Sequence, residues 1–73
     1  MKKATQKFAK QDLKLAQKNG VCCITGTKVG NVEICFEDGK FEASNFNNGN
    51  QKHTGWITFD EMVDWLSEQY VIA

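Results

Sequence analysis

Hydrophobic spacing divides this chain into three stretches. Residues 5–19 follow the period of a helix. Plotted at 100° per residue, Phe8, Ala9, Leu13, Leu15 and Ala16 fall within an arc of roughly 160°. Lys3, Lys7, Lys10, Lys14 and Lys18 share about 80° of the opposite side. The spacing predicts an amphipathic helix over 5–19 with its lysines in water. Asn19-Gly20 supplies a stop, because glycine readily takes the left-handed conformation at a helix end. Asp12 breaks the pattern, since it plots inside the apolar arc. It is expected either to cap a second helical segment from Leu13 or to lie partly buried against a partner.

From residue 21 the period falls to two, and turn residues punctuate it. Asp38-Gly39 predicts a two-residue hairpin turn that pairs Glu37 with Lys40 and Phe36 with Phe41. A three-residue loop at Lys28-Val29-Gly30 sets Ile24 opposite Ile34, Cys22 opposite Phe36 and Cys23 opposite Cys35. Asn48-Gly49 predicts a further turn, after which 51–57 would return along the preceding strand with Trp56 opposite Phe41. The strands are expected at about 21–27, 31–37, 40–46 and 51–57. GNQKHTG is poor in β-formers, which leaves the count at three to four. One face then holds Cys22, Ile24, Val32, Ile34, Phe36, Phe41, Ala43 and Trp56. The other shows Cys23, Thr25, Glu33, Cys35, Glu37, Glu42, Ser44 and His53 to water.

The helical period returns at Thr58. Thr58 can cap the helix and Glu61, three residues on, completes a capping box. Ile57 and Met62 stand where a hydrophobic staple requires them. Phe59, Met62, Val63, Leu66 and Tyr70 make an apolar stripe, while Asp60, Glu61, Asp64 and Glu68 share the opposite side over roughly 100°. Trp65 plots at the border between the two.

The order helix, antiparallel meander, helix predicts a single α+β domain over 1–73, with both helices on one sheet face. A chain this short buries only about 60% of the surface its unfolded form exposes, so its core is thin. MKKATQKFAK has no apolar run suited to a signal peptide, and no stretch is long enough to cross a membrane, so a cytoplasmic protein is expected. Three cysteines, an odd number, do not make a disulfide framework.

Charge changes the picture more. The net charge is zero, yet residues 1–20 hold six Lys against one Asp, and residues 31–73 hold eight acids against two Lys. All nine cations are lysine. The absence of arginine removes the planar fork that reads phosphate and guanine.

Candidate chemistry is sparse. Cys22 and Cys23 are adjacent and point to opposite faces, and His53 lies two strands from Cys35, so no metal site and no cofactor is expected. There is one histidine, no nucleophile elbow and no phosphate-cradling glycine loop, so no enzyme is expected. A ribonuclease using His53 is the catalytic reading to set against that. The topology resembles that of double-stranded-RNA-binding domains, over the whole chain but without a motif. That resemblance implies a Lys-rich start to the last helix. Here Lys52 and His53 are followed by TFDEMVD, which is acidic. The alternative nucleic-acid surface is the stripe Lys3, Lys7, Lys10, Lys14 and Lys18.

The expected function is therefore that of a non-enzymatic binding or regulatory protein. It would meet a basic-surfaced protein through Asp60, Glu61, Asp64, Trp65, Glu68, Glu33, Glu37 and Glu42. Occupying the basic groove of a nucleic-acid-handling enzyme, as phage or mobile-element inhibitors do, fits this size and charge. Weak, salt-sensitive self-association between the basic first helix and the acidic last helix is a further expectation.

Overall fold

The computed structural model describes residues 2–45 and 52–71. Helix α1 (Lys2–Asn19) leads into strands β1 (Val21–Thr27), β2 (Gly30–Glu37) and β3 (Lys40–Asn45). A two-residue β4 (Lys52–His53) and helix α2 (Phe59–Ser67) follow. The strands form one antiparallel sheet in the order β1-β2-β3-β4, with three strands of full length and β4 a fragment.

One core holds the fold together. Ala9, Leu13 and Ala16 from α1 meet Val32, Ile34, Phe41 and Ala43 from the sheet and Met62, Val63 and Leu66 from α2. Both helices therefore cover the same sheet face, and the domain is two layers thick, 18 Å against 34 × 31 Å across. Leu13 lies between small residues, Ala9 and Ala16, which let α1 approach its neighbours closely. The two helices pack side by side and run antiparallel. Helix α1 ends at Gly20, whose carbonyl accepts from Phe36 N. Helix α2 starts at that end, just after Ile57, which bridges Phe41. It finishes at the opposite end, where Gln69 O accepts from Lys28 N in the β1–β2 turn.

The start of α2 follows the sequence reading. Thr58 Oγ1 accepts from Glu61 N at 3.2 Å, and Glu61 Oε1 accepts from Thr58 N at 3.1 Å. Asp38 and Gly39 both take positive φ, +51° and +77°, as the two-residue turn between β2 and β3 requires. Glu37↔Lys40 and Phe36↔Phe41 pair as expected.

Four expectations are corrected. Helix α1 begins at Lys2 rather than residue 5, since Lys2, Lys3 and Ala4 are good helix formers with nothing to stop them. Its buried stripe is narrower than the apolar arc: Thr5, Ala9, Leu13 and Ala16 are buried, while Phe8 is 51% and Leu15 49% exposed. Asp12 takes the second of its two expected roles and is no correction: the helix runs unbroken through it, and, half-buried, it accepts a 2.5 Å hydrogen bond from Tyr70 Oη. The β1–β2 register slips by two residues. The loop is Lys28-Val29, with an irregularity between Ile24 and Thr27, so Ile24 faces Val32, Cys22 faces Ile34 and Cys23 faces Glu33. A slip of two leaves every side chain on its predicted face.

The fourth correction concerns 51–57. Strand β4 stops at His53, and the Asn48-Gly49 turn and Phe46 lie outside the described residues. Thr54 takes over the pairing: its N donates to Ala43 O, and its Oγ1 accepts from Ala43 N, both at 3.0 Å. Gly55, at φ +77°, then turns the chain in a conformation other residues resist. The turn brings Ile57, not Trp56, opposite Phe41, with both backbone hydrogen bonds at 2.8 Å. Trp56 stays 43% exposed instead of joining the core.

Tyr70 ties the chain end to α1. Its ring meets Phe8 edge-on at 6.1 Å. Burial, followed by the hydrogen bond to and charge of Asp12, raises its pKa far above the ordinary tyrosine value.

Two predictions follow from this packing. Leu13→Ala should cost roughly 2–5 kcal/mol in chemical denaturation, and Leu15→Ala less than about 1 kcal/mol. Equal costs would contradict the placement of the buried stripe. Tyr70 binds its proton more tightly folded than unfolded. Its contribution is therefore whole below pH of about 10 and is lost as pH rises above that. Tyr70→Phe should cost roughly 1 kcal/mol at neutral pH and flatten the alkaline limb of the stability curve. An unchanged limb would contradict the tie.

Candidate functional site

The eight residues expected to meet a partner divide between two surfaces. Asp60, Glu61, Asp64 and Glu68 lie exposed on the helix layer. Glu33, Glu37 and Glu42 lie on the outer sheet face, on the far side of the 18 Å molecule. A flat partner meets one set or the other.

The helix layer is mixed in sign. Glu61 is held by the capping box, and the Thr58 backbone and hydroxyl, with a smaller effect from Lys40, keep its carboxyl below the usual carboxylate range. Trp65 is half-buried and packs against the core, and its carbonyl accepts from Gln69 Nε2 at 2.9 Å. That leaves Asp60, Asp64 and Glu68 as an acidic crest along α2. Beside it, Lys7, Lys10, Lys14 and Lys18 are exposed along α1. Because α1 packs against α2, the two crests belong to one layer of the molecule.

The outer sheet face differs. Among the described residues no helix covers it. Glu33, at the centre of β2, stands between two thiols: Cys23 Sγ lies 4.0 Å from Oε2 and Cys35 Sγ 3.8 Å from Oε1. Ser44 Oγ reaches Glu33 O at 3.5 Å. Glu42 sits across from Cys35, with His53 Nδ1 3.9 Å from its Oε1. Glu37 is exposed opposite Lys40, which sits at the rim. Val21 shares the outward parity of Cys23 and lies across from Cys35; it is 42% exposed. Val21, Cys23 and Cys35 thus give this face a small soft apolar centre bordered by carboxylates. The alternation of residues 21, 23 and 25 already marked Val21 as outward, yet sequence reasoning passed over it.

Cys22 and Cys35 are held neutral rather than activated. Burial raises Cys35 above the ordinary thiol value, followed by the charge and hydrogen bond of Glu33, then the charges of Glu42 and Cys23. Burial, then Asp12, raises Cys22. Neither environment has the cationic partner that activates a nucleophilic cysteine. Among the described residues, no three His, Cys, Asp or Glu side chains gather so as to hold a metal ion. No described helix is long and apolar enough to cross a membrane.

Replacing Glu33 by Gln removes the nearest charge from Cys35. Its alkylation by iodoacetamide near neutral pH, followed residue by residue by mass spectrometry, should then be faster than in the wild type. An equal rate would show that Glu33 does not suppress the thiolate.

No family model matches the chain, and neither a curated protein nor a solved structure does.

Proposed function

We propose that this is a non-enzymatic binding module whose open sheet face docks on a basic protein surface. One observation carries the reading: a broad face with no helix over it presents Glu33, Glu37 and Glu42 around an apolar centre. An apolar centre with a charged border is the arrangement of a protein contact, the centre providing burial and the border steering and register. A partner with a basic groove, such as a nucleic-acid-handling enzyme, has the complementary chemistry, and occupying that groove would inhibit it.

The nucleic-acid alternative rests on the lysine crest of α1. Two features weigh against it. A phosphate backbone laid on that crest meets Asp60, Asp64 and Glu68 on the adjoining helix. The start of α2, where double-stranded-RNA-binding domains hold their lysines, is capped instead by Thr58 and Glu61.

The test compares partner recovery from the native host by wild type, by Glu33→Gln/Glu42→Gln and by Asp64→Lys/Glu68→Lys. Loss in the sheet variant with retention in the helix variant is expected. The reverse pattern would move the contact to α2. Binding of duplex or single-stranded nucleic acid at about 0.15 M salt should be negligible. Tight binding abolished by Lys7→Glu/Lys14→Glu would replace this reading with the nucleic-acid one.

A further inference from the structure

The helix layer poses a different recognition problem from the sheet face. A uniformly basic partner placed on it would suit α2 but meet the lysines of α1. A uniformly acidic partner would suit α1 but meet the carboxylates of α2. The surface that fits carries the same two crests exchanged, acid over base and base over acid. A second copy of this chain supplies it. Because α1 and α2 lie side by side and antiparallel, a two-fold axis running lengthwise between them, in the plane of contact, sets each α1 over the partner's α2. Both contacts form at once, as closed two-fold symmetry requires.

We infer that the helix layer is a self-association surface, joining two copies face to face in a four-helix stack with α1 of each against α2 of the other. Lys7, Lys10, Lys14 and Lys18 face Asp60, Asp64 and Glu68 of the second copy, twice over. The 34 × 31 Å breadth of the domain accommodates a standard interface of about 800 Å² per partner. Phe8 and Leu15, each about half exposed beside the lysine crest, add apolar area at its edge. Exposed ion pairs contribute little each and are screened by salt, so the dimer is weak and ionic-strength dependent. The chain's own charge layout explains why its net charge is zero while its halves are opposite. Dimerisation leaves the outer sheet face free, so it neither needs nor excludes the partner proposed for that face. Purified protein alone tests it.

Charge exchange makes the test specific. Lys7→Glu/Lys10→Glu/Lys14→Glu leaves both helices acidic, and Asp60→Lys/Asp64→Lys/Glu68→Lys leaves both basic. Sedimentation at about 0.02 M salt should show dimer for wild type, weakening at least about tenfold by 0.5 M. Each charge variant alone should be monomeric. An equimolar mixture of the two should form the heterodimer, and the six substitutions in one chain should restore the homodimer. All six exposed-surface changes can be checked for folding by circular dichroism. The neutral variants Lys7→Gln/Lys14→Gln and Asp64→Asn/Glu68→Gln should weaken association in the same order. Wild-type protein monomeric at about 1 mM in low salt would overturn the inference. So would undiminished dimer in either single-helix variant, or a mixture that stays monomeric.

Discussion

The packing of α1 and α2 against one face of the sheet is the constraint from which the rest follows. Ala9, Leu13 and Ala16, together with Met62, Val63 and Leu66, complete a single cluster with Val32, Ile34, Phe41 and Ala43. Among the described residues no further helix covers the second face. The outward side chains of Val21, Cys23, Glu33, Cys35 and Glu42 are there exposed or half-buried. The same packing forces the helices into contact with each other. Their solvent sides then become a single surface, so the charges of α1 and α2 cannot be considered separately.

Much of the fold was legible where short-range chemistry fixes geometry. Thr58 and Glu61 mark the start of α2 because a capping box needs only residues three apart. Asp38-Gly39 marks a hairpin because few residues tolerate positive φ in succession. Register was less accessible. The β1–β2 pairing depends on whether the loop takes two residues or three and on an irregularity before Thr27, and alternation is blind to a slip of two. The error at Trp56 has a related cause. Period-two reading assumes an unbroken strand, whereas Gly55, at positive φ, interrupts the extended run and lets Ile57 take the place opposite Phe41.

The candidate surfaces were legible as residue types and not as groupings. Periodicity assigns Asp64 and Glu68 to the wet side of one helix and Lys7 and Lys14 to that of another. It does not say that those sides adjoin, because adjacency is set by the long-range seam through Leu13 and Leu66. The sequence therefore pointed to Asp64, Trp65 and Glu68 as a partner surface. In the fold, Trp65 packs on the core, and α2 packs against α1, whose lysines are exposed on the same layer. Glu33 and Glu42 were expected to share one partner surface with Asp64, Trp65 and Glu68. The fold sets them instead on the opposite face of the sheet, with Cys23, Cys35 and Val21.

Folding alone does not ask for that arrangement. Glu33 and Glu42 are half-buried and sit diagonally across neighbouring strands, Glu33 facing Ser44 and Glu42 facing Cys35. Like charges at close cross-strand positions oppose pairing by a few tenths of a kcal/mol to about 1 kcal/mol. Glu33 also keeps two thiols nearby. Threonine or alternating lysine and glutamate would keep such a face soluble at lower cost. The helix layer, by contrast, carries both signs of charge. The sheet face is thus the part of this domain whose composition stability does not account for, and a basic surface laid across it would offset that cost.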